Sequence, residues 1–284
     1  MRIANIAGRL VLVTGGGAVD VATASNGRFA ADAQQIFDRW DEFRDWAETN
    51  PQPDAAPDPA AHIDPPVPRP RQVFGIGLNY RAHAAESNLA EPAFPATFTK
   101  FPTSLTGAFD DIELPSATVD WEVELVVVIG RRAFKVKEGL GWAHVAGLTV
   151  GQDISERTVQ LRPPVPQFSL GKSFPGFSPI GPQLITPDEL PDPDDLEIGC
   201  SLDGEQVQKS RTSQLIFPVP TLIEKLSSIC PLLPGDLIFS GTPSGVGGAR
   251  TPARYLQPGQ LLESTITGIG TMRHHFVRTD DSTA

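Results

Sequence analysis

Cysteine, basic charge and long apolar runs are what this 284-residue chain has least of. The two cysteines, Cys200 and Cys230, form no close pair, which excludes a disulfide framework and a thiolate metal site and leaves two buried apolar thiols as the expectation. Lys and Arg total 23 against 34 Asp and Glu, a net charge of -11. That balance repels phosphates, so neither nucleic acid nor an anionic membrane is expected as a partner. An acidic substrate stays compatible, because a metal ion with local Lys or Arg reverses the sign inside one cleft. No stretch approaches the roughly 18 consecutive apolar residues of a membrane span, and Met1-Arg2-Ile3-Ala4-Asn5 lacks a basic region followed by an apolar one. A reducing cytoplasm is the expected setting.

The chain is long enough for one sizeable core and a small accessory unit. Leu10-Val11-Leu12-Val13 and Val19-Asp20-Val21-Ala22 flank Gly15-Gly16-Gly17, so residues 9–24 read as a hairpin with a glycine turn. A dinucleotide-binding G-x-G-x-x-G starting at Gly15 would need glycine where Asp20 stands, and no helical pattern follows at once. From Asp32 onward Ile36, Phe37, Trp40 and Phe43 recur at helical spacing, and the helix should stop before Pro51. Residues 51–70 carry eight prolines and read as a stiff, extended connector. The spacing therefore predicts a small N-terminal unit over residues 1–68 and a second domain over 71–284.

Beyond residue 71 short β-branched runs punctuated by Gly and Pro, such as Val73 to Ile76, Leu125 to Ile129 and Asp236 to Phe239, predict a β-rich α+β fold. One helix interrupts it: Thr221 and Glu224 form a capping box, Leu222, Ile223, Leu226 and Ile229 share a face, and Pro231 ends it.

In Asp120-Trp121-Glu122-Val123-Glu124-Leu125 two glutamates sit two apart at the mouth of an apolar strand, and strand periodicity puts both carboxylates on one face. Like charges on a core strand need a shared proton, basic partners or a divalent cation. A solvent-facing edge with both acids in water is the alternative on this segment alone. A further acid, Asp153, follows the apolar run Val145 to Val150. Three carboxylates without histidine or cysteine suit a hard cation, Mg2+ or Mn2+ before Zn2+.

His83 and Glu86 stand three apart in Asn79-Tyr80-Arg81-Ala82-His83-Ala84-Ala85-Glu86, so on a short helix they share a face and a hydrogen bond. A carboxylate-oriented histidine can serve as a general base; a solvated pair on a surface helix is the bland alternative. Lys172 in G-K-S-F and Lys100 in F-T-K-F-P are candidates for the local positive charge, Lys172 to stabilise an enolate or oxyanion, Lys100 to bind substrate or to brace a carboxylate. Arg157 and Gln160 could bind a substrate carboxylate, a bidentate Arg suiting that job. Gly241 to Gly247 lacks the Lys-Ser or Lys-Thr of a P-loop. His62, His144, His274 and His275 match no site motif and are expected to be structural or exposed.

The W-E-V-E-L strand and the G-x-D-I-S-x-R segment resemble the metal signature of the fumarylacetoacetate hydrolase family. The resemblance continues through Gly75 to Tyr80, Phe98 to Ser104, Gly171 to Phe174, Pro234 to Asp236 and Gly241 to Gly247, and so covers most of residues 71–277. It implies a mixed β-roll catalytic domain behind a small, variable β-rich N-terminal domain, and a homodimer. It also implies metal ligands Glu122, Glu124 and Asp153, water activation by His83 and Glu86, lysines 100 and 172 near the metal, and Thr242 in a glycine-rich wall offering its hydroxyl and backbone to substrate. The chain departs from the pattern at Gln152, Thr158 and Pro175, where relatives often carry Asn, Asp and Asp; none is a metal ligand, so the departures bear on substrate identity. The activity implied is metal-dependent hydrolysis of a carbon-carbon bond in an acylpyruvate-like 1,3-diketo acid. Isomerisation or decarboxylation of an unsaturated or oxaloacetate-like 2-oxo acid is the alternative within the family, and a binding or regulatory protein with a retired site is the alternative of another class.

Overall fold

A computed structural model describes residues 1–15, 17–49, 62–86 and 89–278. Its spine is the strand Val123–Ile129, every residue of which is buried. Continuous burial explains why its stretch from Leu125 to Ile129 reads as apolar throughout and does not alternate. Its odd positions, Val123, Leu125, Val127 and Ile129, enter one core cluster, and Val126 and Val128 enter another on the opposite face. Antiparallel neighbours Val145–Gln152 and Leu237–Phe239 flank it.

Among the described residues the strands form an eleven-stranded mixed sheet, a five-stranded sheet and a two-stranded ribbon. The five-stranded sheet runs Glu205–Arg211, Glu197–Leu202, Leu261–Ile266, Gly270–Arg278 and Ile112–Leu114 in spatial order. Its Ile198, Leu202, Leu262, Ile266 and Phe276 share the larger core cluster with Val123 to Ile129, so the two sheets close on one another. The β-rich α+β architecture expected from the sequence is what the chain adopts.

The N-terminal segment continues the large sheet. Arg2–Ile6 pairs antiparallel with Ser178–Ile185, and the hairpin of Arg9–Thr14 with Gly17–Asp20 extends it outward. The second arm is shorter than residues 9–24 suggest, because the Asp20 side chain accepts from the Thr23 backbone N–H and starts the helical turn Val21–Ala24. Asp32 caps the next helix in the same way. A 3-10 stretch Ala33–Arg39 runs into the α-helix Trp40–Thr49, and Ile36, Phe37, Trp40 and Phe43 pack against Val126, Val128 and Phe239. Each such side chain contributes about 2–3 kcal/mol when fully buried. The Pro-rich stretch expected as a connector lies outside the described residues from 51 to 61.

The later helix runs Val219–Ser227 and corrects the expected capping box. Pro218 and Pro220 preset the backbone so that the helix begins before Thr221. The Thr221 hydroxyl donates to Glu138 and caps nothing. Ile229 lies past the helix end and is 71 % exposed, whereas Leu222, Ile223 and Leu226 are buried as expected. No helix among the described residues is long and apolar enough to cross a membrane.

Candidate active site and metal centre

The register of the central strands builds the acidic cluster. Val123 pairs with Gln152, so Asp153, just past the end of that strand, lies beside Glu122, and its N–H donates to the Glu122 carbonyl at 2.9 Å. Glu124 shares the parity of Glu122. Glu122, Glu124 and Asp153 each offer an oxygen within 4.8 Å of the others, and all three are buried. The Glu124 carboxyl accepts from the Gly241 N–H at 2.8 Å. Gly241 has φ of +102°, and a Cβ there would lie 2.6 Å from that of Asn79, so glycine is required for this N–H to reach the acid.

Three cations hold the cluster, Lys172 and Lys100 buried and Arg157 half-buried. Lys172 Nζ donates to Glu122 at 2.8 Å, Asp153 at 2.6 Å and the Ser155 hydroxyl at 2.8 Å. Lys100 Nζ donates to Asp153 and to the Lys172 and Phe177 carbonyls. Arg157 contacts Glu122 at 2.7 Å through Nη1 and clasps Asp120 through Nε and Nη2. Burial opposes ionisation of Glu122, but Lys172 and Arg157 outweigh it and hold its carboxyl down at about 2. Glu124 goes the other way: burial, reinforced by Asp153 and Glu122, pushes its carboxyl well above the usual range. Lys172 is pushed up, its burial outweighed by Asp153 and Glu122, whereas burial and the neighbouring Lys172 bring Lys100 down.

This donor set fits Mg2+ or Mn2+. All its ligands are hard oxygens, and a raised Glu124 marks negative charge without a counter-charge. Counting Asp120, four buried acids face the buried Lys100 and Lys172 and the half-buried Arg157. A divalent cation converts that deficit of one charge into a surplus of one, which suits an anionic substrate.

A cavity of about 520 Å³ opens over the cluster, with Glu122, Arg157, Gln160, Lys172, Thr242, His83 and Glu86 in its lining. The short helix Arg81–Glu86 brings His83 Nδ1 to 2.7 Å from Glu86 Oε1, and Glu86 also accepts from the Gly245 N–H at 3.0 Å. Nine of the expected site residues therefore gather around one cavity: seven in its lining, with Glu124 and Asp153 beneath Glu122. Lys100 stands apart from the lining, behind Asp153, with three acceptors for its three protons.

The structure also shows which donors are engaged within the protein. The Arg157 fork, expected to face a substrate carboxylate, is turned onto Asp120, and its Nη1 is shared by Glu122 and Gln160. Gln160 thereby accepts with its oxygen, and no protein acceptor takes its amide N–H groups among the described residues. The Thr242 hydroxyl donates to the Val123 carbonyl and accepts from Gln208. Asp120 and Gln208 were not expected at the site, and Gln152 was expected beside it only through the family resemblance. Asp120 is fully buried and accepts from the N–H groups of Trp121, Gly247 and Gly248 as well as from Arg157. Gln152 accepts from the Glu122 N–H and Gln208 from that of Val123. Their one sequence signal is a polar residue in or beside an otherwise buried run.

Of the remaining residues, Cys200 is buried and Cys230 half-buried, both free, and His274 is buried with Nδ1 at 2.8 Å from the Asp110 carbonyl.

Comparison with known proteins adds a family model described as fumarylacetoacetate (FAA) hydrolase, C-terminal, which matches residues 72–277. The chain is 43 % identical over 214 residues to the mitochondrial oxaloacetate tautomerase FAHD2A of Homo sapiens, covering 75 % of this chain and 68 % of that protein. Among solved structures, a Mycobacterium smegmatis protein provisionally described as HpcE is 54 % identical with a TM-score of 0.93, over 99 % of this chain and 100 % of that one. The maleylpyruvate hydrolase of Sphingobium sp. SYK-6, solved with manganese(II) and pyruvate, is 25 % identical with a TM-score of 0.79, over 99 % and 100 % of the two chains.

Proposed function

The chain belongs to the fumarylacetoacetate hydrolase family, and from that premise we propose that it moves a proton at C3 of a small 2-oxo acid, interconverting its enol and keto forms. One observation carries the reading: the His83–Glu86 pair and the acid cluster open into the same cavity. The similarity to oxaloacetate tautomerases over three quarters of the chain supports proton transfer ahead of the carbon-carbon hydrolysis expected from the sequence.

Glu122, Glu124 and Asp153 would hold the divalent cation, which when bound supplies Lewis acidity toward a 2-oxo carboxylate. Gln160 offers its free amide N–H groups to the substrate carboxylate. Glu86, fixed by the Gly245 N–H, accepts from His83 Nδ1 and leaves Nε2 to exchange the proton. The C3–H bond breaks, its electron pair becomes the C2=C3 bond of the enolate, and the same imidazole returns the proton to carbon or to oxygen. Lys172 donates all its N–H bonds within the protein, so its contribution is charge close to the developing enolate.

A second reading, hydrolysis of an acylpyruvate, is supported by the same dyad and by the likeness to maleylpyruvate hydrolase. It requires His83 to deprotonate water instead of carbon. The two separate by experiment: 2-oxo acids are incubated with Mg2+ in D2O, C3–H loss is followed by NMR, and acetylpyruvate cleavage is followed in parallel. Rapid C3 exchange without cleavage, lost in His83→Asn, is the expected result; cleavage of acetylpyruvate at a comparable rate would replace the first reading with the second. A homodimer and a non-membrane setting belong to the same proposal, the first open to sedimentation analysis.

A further inference from the structure

The cavity has one polar end. Beyond the acid cluster, the His83–Glu86 pair, Gln160 and Thr242, its described lining includes Phe98, Phe168, Leu161, Leu89 and Val246, with the Tyr255 ring and its hydroxyl beside them. Phe98 stands next to the chemistry, with Lys172 Nζ 5.1 Å from its ring centroid, and Phe168 meets it edge-on at 5.7 Å. Gly75 has no side chain beneath the Phe98 ring, and a Cβ there would collide with it, so the ring's position is built into the strand. At the rim Leu89 and Leu161 are 53 % and 55 % exposed. Arg157 and Lys172 are the only Arg or Lys in the described lining, and both are committed to Asp120, Glu122 and Asp153.

We infer that the site takes a 2-oxo acid whose C3 substituent is flat and uncharged, an aryl or alkenyl group, in preference to a second carboxylate. This rests on the 2-oxo acid reading above and specifies its substrate class. A monoacid places its 2-oxo carboxylate at the charged floor, where the surplus created by a divalent cation meets it, and lays its ring along Phe98 and Phe168. A diacid of the same length puts its distal carboxylate against those rings with no uncommitted Arg or Lys in the described lining to receive it, and loses hydration with less compensation. The volume agrees: about 520 Å³ exceeds what a four-carbon diacid fills.

The test is calorimetric titration of the Mg2+-loaded protein with phenylpyruvate and with 2-oxoglutarate, run on wild type and on Leu161→Arg. The expected result is phenylpyruvate binding tighter by roughly tenfold or more, with the ratio narrowed when the rim arginine supplies a partner for the second carboxylate. Leu161 is exposed enough for that change to leave folding intact. Equal or tighter binding of 2-oxoglutarate to wild type, or no binding of phenylpyruvate, overturns the inference. C3–H exchange read in the same samples reports separately on the proposed reaction: a retained aryl preference with silent C3–H sinks the proton-transfer reading and leaves the substrate class standing.

Discussion

Asp120 offers the sharpest quantitative consequence of the site's construction. One carboxylate oxygen accepts from the N–H groups of Trp121 and Gly247, at 2.8 and 2.7 Å. The other accepts from Gly248 at 2.8 Å and from Arg157 Nε and Nη2 at 2.9 and 2.7 Å. In Asp120→Asn the size is kept, but whichever way the amide turns, its NH2 faces donors in place of an acceptor. Arg157, 14 % exposed at its side chain, also loses half of its charge compensation and keeps Glu122. Breaking a buried pair from one side costs about 3–5 kcal/mol, and the surviving Glu122 contact puts this case near the lower figure. With about 2–4 °C of melting temperature per kcal/mol at this chain length, the expected drop is roughly 6–12 °C by calorimetry. Arg157→Met in the Asp120→Asn background should recover part of that loss, because the unpaired charge is gone. A drop under about 2 °C, the range of an ordinary surface substitution, would refute the reasoning.

Two further expectations follow from the ionisations. Burial, with Asp153 and Glu122, pushes the Glu124 carboxyl well above its usual range, so Mg2+ or Mn2+ binding should compete with its proton and weaken as pH falls; titration in two buffers of different ionisation enthalpy checks this, and identical heats would contradict it. Burial pushes the His274 imidazole below its ordinary value, so the folded protein favours the neutral ring. That contribution to stability is complete above the unfolded value of about 6.5 and is lost as pH falls from there through the folded value. Wild type should therefore lose more melting temperature than His274→Gln between about pH 7.5 and about pH 5.5, and parallel slopes would show the histidine to be irrelevant.

Features governed by short spacing could be read directly from the chain. Glu122 and Glu124 share a strand face because side chains alternate, and His83 meets Glu86 because residues three apart adjoin on a helix. The strand that brings Asp153 to them was legible as an apolar run, but its register was supplied only by the family resemblance. Asp120 escaped notice because its partners, Arg157 and Gly247 to Gly248, lie far along the chain, and no local pattern announces which acid will receive a guanidinium. The engagement of the Arg157 fork was invisible for the same reason. At the Val219–Ser227 helix a local rule was misapplied: Thr221 and Glu224 have the right spacing, but the two flanking prolines set the start earlier. The pairing of Arg2–Ile6 into the large sheet depends on Ser178–Ile185 and so on tertiary context alone.

The most direct test of the central claim is C3–H exchange of 2-oxo acids by wild type and Glu122→Ala, each with Mg2+, Mn2+ and EDTA. Wild type should exchange C3–H only with a divalent cation, and Glu122→Ala should lose that dependence together with the activity. Metal-independent exchange by wild type, or full metal-dependent exchange by Glu122→Ala, would contradict an active site built on these three carboxylates.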